Sequence, residues 1–411
     1  MLNLHSQILQ LSMKRIVRLF IITTFTLLAL SSCSKDNDVP SSTVNENTLF
    51  IYMPWATNLA SYFHVNLRDI KSAIAEHGLR SQRVLVYFAT SDTQACLYEI
   101  KLNRGTVVED TLKLYKDNSY TTADGISAIF NDMKQAAPAT KRYSLVIGSH
   151  GTGWLPVHSA AGTRWERSSS AGYAPQWHYE LEGPDMTRYY GGGTADCQTD
   201  ITTLAEAIRK SGLHMEFIMF DDCYMSNIEV AYELRNVTDH LIGCTCEIMA
   251  YGMPYAKFGD ALFGAPDYEK VCREFYNFYS TYSRPCGTIA VTRMSEIDGI
   301  VSIMRRINAR DTLKSETRSS IQVLDGYSPV IFYDFGDYVH KFCTDSVLLR
   351  EFDAQLERLV PYKANTVRFW SNLSKEETVI ETFSGLTNSE ATAHPKYAVD
   401  IRNTGWYKAT H

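Results

Sequence analysis

The stretch from Glu216 to Arg235 (Glu-Phe-Ile-Met-Phe-Asp-Asp-Cys-Tyr-Met-Ser-Asn-Ile-Glu-Val-Ala-Tyr-Glu-Leu-Arg) restricts the fold more than any other. Phe217 to Phe220 is a short apolar run, the pattern of a strand buried on both faces. Asp221 and Asp222 end it abruptly. Beyond Ser226 and Asn227, both suited to capping a helix, Ile228, Val230, Ala231 and Leu234 fall at helical spacing. Cys223 therefore stands at the C-terminal end of a strand, just ahead of a helix, where α/β sheets place their chemistry. A nearby helix N-terminus would stabilise a thiolate there.

A second stretch has the same build. Tyr143 to Ile147 is an apolar strand, followed by Gly148-Ser149-His150-Gly151-Thr152-Gly153-Trp154. A histidine among glycines at a strand exit is exposed and closely approached by other backbone. If the two strands are neighbours in a parallel sheet, His150 and Cys223 meet above one sheet edge as a pair able to perform nucleophilic catalysis. His158 and His178 are rivals, but neither lies at a strand exit beside glycines.

The rest of the chain alternates between the two periods. Leu49 to Met53 and Val84 to Ala89 read as strands on either side of a helix that runs to Glu76 before Gly78. Ala95 to Leu102 and Thr106 to Leu114 form a hairpin about Asn103-Arg104-Gly105. Helices are expected over Thr121 to Ala136 and Thr202 to Lys210. A strand follows over Leu241 to Cys246, then a loop over Glu247 to Tyr255. The spacing predicts a helix over Phe275 to Tyr282, a strand over Gly287 to Thr292, and helices from Ser295 to Ile307 and from Val347 to Pro361. This alternation implies βαβ units and a largely parallel sheet. Ser320 to Asp337 mixes strand and turn. From Asn365 onward the chain reads as short strands: Thr366 to Trp370, Phe383 to Leu386 and Thr404 to Tyr407. The expected division is a main domain over 47–325 and a small β-rich C-terminal subdomain over 326–411, packed on the sheet.

The 411 residues, 45% hydrophobic and 21% charged, suit a soluble globular protein with a large core. A net charge of -6 argues against a nucleic-acid binder. The N-terminus reads as a targeting segment: Lys14, Arg15 and Arg18 precede an apolar core from Leu19 to Leu30, too short to span a bilayer. Leu30-Ser31-Ser32-Cys33 then matches a lipobox, which makes 1–32 a signal peptide and Cys33 a lipidation site that anchors the chain to a membrane. Ser34-Lys35-Asp36-Asn37-Asp38 is similar to the acidic signal that sends some bacterial lipoproteins to the outer surface. Residues 33–46 are then a tether. The expected location is the bacterial outer membrane or cell surface.

Eight further cysteines remain: Cys96, Cys197, Cys223, Cys244, Cys246, Cys272, Cys286 and Cys343. Most read as small buried hydrophobes. Cys244 and Cys246, within a strand, would point to one face, and their spacing is too tight for the usual zinc pair. No metal site is expected. A nucleophilic thiol must stay reduced, so no disulfide is expected at Cys223. Residues 157–197 show little periodicity and form an insertion or lid bordering the site.

His-Gly-Thr-Gly-Trp after an apolar strand, then Phe-Asp-Asp-Cys-Tyr-Met followed by Glu-Val-Ala-Tyr-Glu-Leu, resemble the clostripain family of cysteine peptidases, in the caspase-like group with gingipains and legumains. The likeness extends in patches from about Asn47 to the C-terminus. It implies an α/β fold of the caspase-like kind, a three-layer αβα sandwich. It implies a Cys223/His150 dyad working through an acyl-enzyme, with the N–H groups of Gly151 and Cys223 as oxyanion donors. It also implies that Asp221, two residues before the cysteine, lies in the pocket for the residue preceding the scissile bond (P1) and pairs with arginine or lysine. The other reading of Asp221 is that it holds the turn that aims Cys223. Glu247 is a candidate second wall of that pocket.

Several relatives mature by cutting themselves after a basic residue between the two motifs, for which Arg164, Arg167 and Arg188 are the candidates. Some use calcium, which enters by this likeness alone; no Asp-rich ligand loop is visible, and no cofactor is expected. The chain departs from the family at Asp222, where a small residue is usual and a charge would oppose the thiolate, and at Cys244 and Cys246. The expected function is a surface-tethered cysteine endopeptidase acting on protein or peptide substrates after arginine or lysine. The alternative is a lipoprotein that keeps the fold without turnover and binds peptide or glycan.

Overall fold

The computed structural model describes residues 47–54, 59–91, 94–116, 121–156 and 199–411. The expected signal peptide, Cys33, the tether and the whole 157–197 insertion, with Cys197, His158, His178 and the three arginines, lie outside them. The described residues all fall in one compact unit.

The strands are β1 (Asn47–Met53), β2 (Gln82–Ala89), β3 (Ala95–Asn103), β4 (Thr106–Tyr115), β5 (Arg142–Gly148), β6 (Met215–Asp221), β7 (His240–Gly243), β8 (Thr288–Arg293), the two-residue β9 (Tyr333–Asp334) and β10 (Tyr362–Asn365). Nine of them make one sheet in the order β10-β8-β7-β6-β5-β1-β2-β3-β4. The central strands β7, β6, β5, β1 and β2 are mutually parallel, and the β3–β4 hairpin and β8–β10 close the two edges antiparallel. β1 is buried at every position, and β6 at all but Glu216. That is why Phe217 to Phe220 carries no polar alternation: both faces are covered.

Helices form the outer layers. The Ala60–His77 helix packs with the turn Tyr255–Phe258, which packs on Tyr268–Ser280. On the other side Ala123–Ala136 packs on Ile201–Lys210, that helix on Ile228–Leu234, and Ile228–Leu234 on Gly405–Thr410. Ile297–Asn308 joins this layer against Ser346–Leu359. From β1 the chain crosses one way to β2, and after the hairpin it returns to β5 on the other side. Right-handed crossovers therefore put the two sets of helices on opposite faces. The result is the expected αβα sandwich with a mostly parallel sheet.

The structure departs from the sequence reading in three places. The strand expected over Leu241 to Cys246 stops at Gly243. Cys244 and Cys246 lie beyond it, where the N–H groups of Thr245 and Cys246 donate to the Thr288 hydroxyl at 3.1 and 3.3 Å. The region after 325 does contain small sheets, Arg368–Ser371 with Glu376–Val379 and Thr387–Asn388 with β9. It also gives β10 to the main sheet and builds the helices Phe335–Phe342, Ala398–Asn403 and Gly405–Thr410. Thr404 to Tyr407, expected as a strand, is a helix start: the Thr404 hydroxyl accepts from Tyr407 N at 3.1 Å. Trp406 packs edge-on against Tyr232 and Phe335. Finally, the aromatic helix begins well before Phe275, at Tyr268, with the Asp267 carboxylate accepting from Lys270 N at 2.9 Å.

Candidate active site

Parallel pairing of β5 with β6 sets Gly148 against Asp221. The loop carrying His150 and the loop carrying Cys223 thus leave the sheet at one level, each two residues on. Asp222 ties them. Its Oδ1 accepts from Ser149 N at 2.5 Å and its Oδ2 from the Ser149 hydroxyl at 3.1 Å. The carboxylate that threatened the thiolate from sequence is turned to the histidine loop.

The glycines of His-Gly-Thr-Gly mark where the histidine loop crosses the cysteine loop. A Cβ on Gly151 would stand 2.1 Å from the Cys223 carbonyl oxygen and 2.9 Å from the Asp222 Cβ, so only glycine fits. Gly153 has φ +66°, and a Cβ there would meet Asn227 Nδ2 at 2.8 Å and the Tyr224 carbonyl at 3.0 Å. His150, expected to be exposed at the strand exit, is buried instead, with 9% of its surface exposed, because the two loops close over each other.

Cys223 is fully buried. Ile248 N donates to its Sγ at 3.3 Å, and the thiol faces the Ile248 carbonyl at 3.7 Å. Burial pushes the thiol well above its ordinary pKa, the Glu247 charge adds to this, and the Ile248 N–H opposes it. The helix expected to face the thiol begins only at Ile228, capped by Asn227, whose side chain accepts from Val230 N at 2.9 Å, so Cys223 stands outside its first turn. Tyr224 intervenes with φ 61°, a left-handed conformation costly for a bulky side chain. Its surroundings hold it there: its N–H donates to the Cys246 carbonyl at 3.1 Å, its hydroxyl to Glu247 at 2.9 Å, and its ring stacks on Phe332 at 5.4 Å. Asn227 Nδ2 also donates to the Tyr224 carbonyl at 2.7 Å.

Asp221 is likewise buried. Its Oδ1 accepts from Met253 N at 2.8 Å and its Oδ2 from the Tyr255 hydroxyl at 2.9 Å. Glu247, expected as a pocket wall, is enclosed by protein donors instead. It accepts from the hydroxyls of Tyr224 at 2.9 Å and Ser371 at 2.5 Å, and from Asn372 N at 2.8 Å. It ties the turn after Cys223 to the C-terminal hairpin, an attachment no local pattern could reveal. Every described cysteine, Cys223 included, is free. Among the described residues no three His, Cys, Asp or Glu side chains converge as a metal-binding set.

Three residues at this site, Trp154, Glu229 and Ser389, escaped the sequence reading. Trp154 Nε1 donates to the Ser389 hydroxyl at 2.8 Å, and Ser389 N donates to Glu229 Oε1 at 2.8 Å. Trp154 and Glu229 belong to the quoted motifs, and that was the available signal; Ser389 had none.

A sheet of this order, with a histidine loop and a cysteine loop crossing at adjacent strand ends, defines a caspase-like cysteine peptidase. The clostripain family profile (Peptidase C11) matches residues 188–390. The chain is similar to a secreted C11 cysteine protease from Bacteroides thetaiotaomicron, "iotapain", at 50% identity and TM-score 0.80, covering 89% of this chain and 99% of that one. It is 56% identical to a clostripain from Bacteroides thetaiotaomicron ATCC 29148 solved with the peptide inhibitor BTN-VLTK-AOMK, over 54% of this chain and 99% of that one, at TM-score 0.53. An inactive zymogen C11 protease from Parabacteroides distasonis is 28% identical, with TM-score 0.72, over 89% of this chain and 98% of that one. Comparison with curated proteins finds no match. The chain belongs to the clostripain family of cysteine peptidases.

Proposed function

We propose that this peptidase is an endopeptidase cutting after arginine or lysine, with Cys223 as nucleophile and His150 as proton carrier. The observation that carries the reading is the crossing of the two loops, with the Gly151 backbone against the Cys223 carbonyl and Ser149 bound to Asp222. Sγ of Cys223, its proton passed to the imidazole, attacks the scissile carbonyl carbon. The charge that develops on the carbonyl oxygen is met by the N–H groups of Gly151 and Cys223. The C–N bond breaks as His150 protonates the leaving amine, and a thioester remains. Water, deprotonated by the same imidazole, attacks the thioester and releases the acid and the thiol.

Asp221 supplies the choice of P1. Its carboxylate is oriented by Met253 N and the Tyr255 hydroxyl, and a carboxylate held in this way suits a guanidinium or ammonium group. The inhibitor held by the 56% identical relative carries the peptide VLTK, which ends in lysine.

Cys223 and Asp221 are both fully buried, so substrate reaches them only after rearrangement. We assign this closed arrangement to a resting form, opened by self-cleavage after Arg164, Arg167 or Arg188. Purified wild type should then run as two fragments where Cys223→Ala runs as one band, and an intact wild-type chain with full turnover would refute this. The N-terminal lipobox supports a position on the cell exterior, held by acyl chains on Cys33. Labelled palmitate should enter wild type and not Cys33→Ser; equal labelling would remove the anchor.

The test of the chemistry is a panel of fluorogenic peptides with Arg, Lys, Asn, Asp or Ala at P1, given to wild type, Cys223→Ala and Asp221→Asn. The expected result is cleavage after Arg and Lys alone, none with Cys223→Ala, and loss of the basic preference with Asp221→Asn. Turnover independent of Cys223 would overturn the mechanism.

A further inference from the structure

Residues 385–389 run beside the cysteine loop. The Ser226 hydroxyl donates to the Gly385 carbonyl at 2.8 Å, Thr387 N donates to the Ser226 carbonyl at 3.1 Å, and Asn227 forms a bridge with Thr387. The segment ends at Ser389, which bonds in two directions at once. Its N–H donates to Glu229, in the first turn of the helix after Cys223, and its hydroxyl accepts from Trp154, four residues after His150. Glu229 is 1% exposed; its Oε1 accepts from the Ser389 N–H at 2.8 Å, and its Oε2 has no hydrogen-bond partner among the described residues. Ser389 is thus a junction between the two halves of the dyad, contributed by a part of the chain that supplies neither.

We propose that Ser389 is a positioning residue: through Trp154 it fixes the histidine loop, and through Glu229 the helix that follows the cysteine, and so it sets the approach of the His150 imidazole to Cys223. The inference rests on the assignment of the dyad. Trp154 crosses to Ser389 beyond Gly153, where the histidine loop already touches Asn227 and the Tyr224 carbonyl. Without the indole bond, contacts near Gly151 and Gly153 would still hold the loop to the cysteine turn, but its far end would be released. The consequence is a looser dyad in a folded enzyme. Proton transfer and attack are steep functions of geometry, whereas peptide binding is not.

The test compares Ser389→Ala, Ser389→Thr, Trp154→Phe and the Ser389→Ala/Trp154→Phe double variant with wild type and Cys223→Ala. Turnover of the best P1 substrate and thermal midpoints are measured for each. Trp154→Phe breaks the same bond from the other end and keeps a ring in place, so the question is answered even if Ser389→Ala does not fold. The expected result is a kcat about tenfold lower in Ser389→Ala and Trp154→Phe, with KM within about twofold. Ser389→Thr, which keeps the hydroxyl, should recover most of the rate. The double variant should be no slower than the slower single variant, because both remove one bond. Wild-type kcat in both single variants, or losses that multiply in the double, would overturn the proposal. If Cys223→Ala itself turned over substrate, the dyad would fall; if Cys223→Ala were silent and Ser389→Ala ran at full rate, the positioning role alone would fall.

Discussion

Glu229 gives the account a stability prediction that does not depend on catalysis. Its side chain is buried under the C-terminal segment, with one oxygen bound to Ser389 N at 2.8 Å and the other without a partner among the described residues. Burial pushes its pKa from 4.5 to about 8, against the smaller opposing pull of the backbone N–H donors. An acid raised in this way binds its proton in the folded state across a pH range where the unfolded chain has released it. Its contribution is therefore neutral below about 4.5, falls as pH rises, and is fully unfavourable above about 8. The distance between the two midpoints corresponds to about 5 kcal/mol at most, since local relaxation or water entry lowers it.

Glu229→Gln keeps an acceptor for Ser389 N and copies the protonated acid in shape. Denaturant unfolding is run in a Cys223→Ala background to prevent self-digestion. At pH 5 the Glu229→Gln chain and its parent should differ by no more than about 1 kcal/mol. At pH 9 the Glu229→Gln chain should be more stable by a few kcal/mol. Asp325, pushed up to about 7 by burial, titrates in both chains and cancels in the difference. Stability curves that stay parallel from pH 5 to pH 9 would refute the reasoning.

Three further outcomes follow from the site. Gly151→Ala puts a methyl group 2.1 Å from the Cys223 carbonyl oxygen, so turnover should drop more than about a hundredfold while the far-UV spectrum stays native; a near-normal rate would show that the loops do not cross as described. Glu247→Ala leaves the donors of Tyr224, Ser371 and Asn372 facing an empty site, and should cost about 3 kcal/mol or more of stability with the P1 order unchanged. A changed P1 order at undiminished stability would restore Glu247 to the pocket. The dyad as proposed calls for no metal ion, so activity in a calcium chelator should equal activity in calcium; loss on chelation with recovery on calcium addition would contradict that proposal.

The sheet was legible because its central strands are buried on both faces, and an unbroken apolar run such as Phe217 to Phe220 suits little besides a strand covered on both sides. The two motif loops were legible for a related reason. Gly151 and Gly153 are glycines because backbone and side chains of the other loop occupy the space of a Cβ, and that demand shows in the sequence. The direction of a side chain in a turn does not show. Asp222 looked like a charge set against the thiol, and only the pairing of β5 with β6 reveals that Ser149 takes it. The C-terminal region was least legible. Its short elements owe their conformation to partners far along the chain: Ser371 and Asn372 to Glu247, and Ser389 to a tryptophan 235 residues away. Trp406, in a stretch expected as a strand, sits on a helix and packs against Tyr232 and Phe335.

The most direct test of the central claim is to label the active enzyme with a lysyl acyloxymethyl ketone and map the adduct by mass spectrometry, in wild type and in His150→Ala. The account requires the label on Cys223 and a labelling rate that collapses without the imidazole. A label on another cysteine, such as Cys244 or Cys246, or a rate unchanged in His150→Ala, would contradict it.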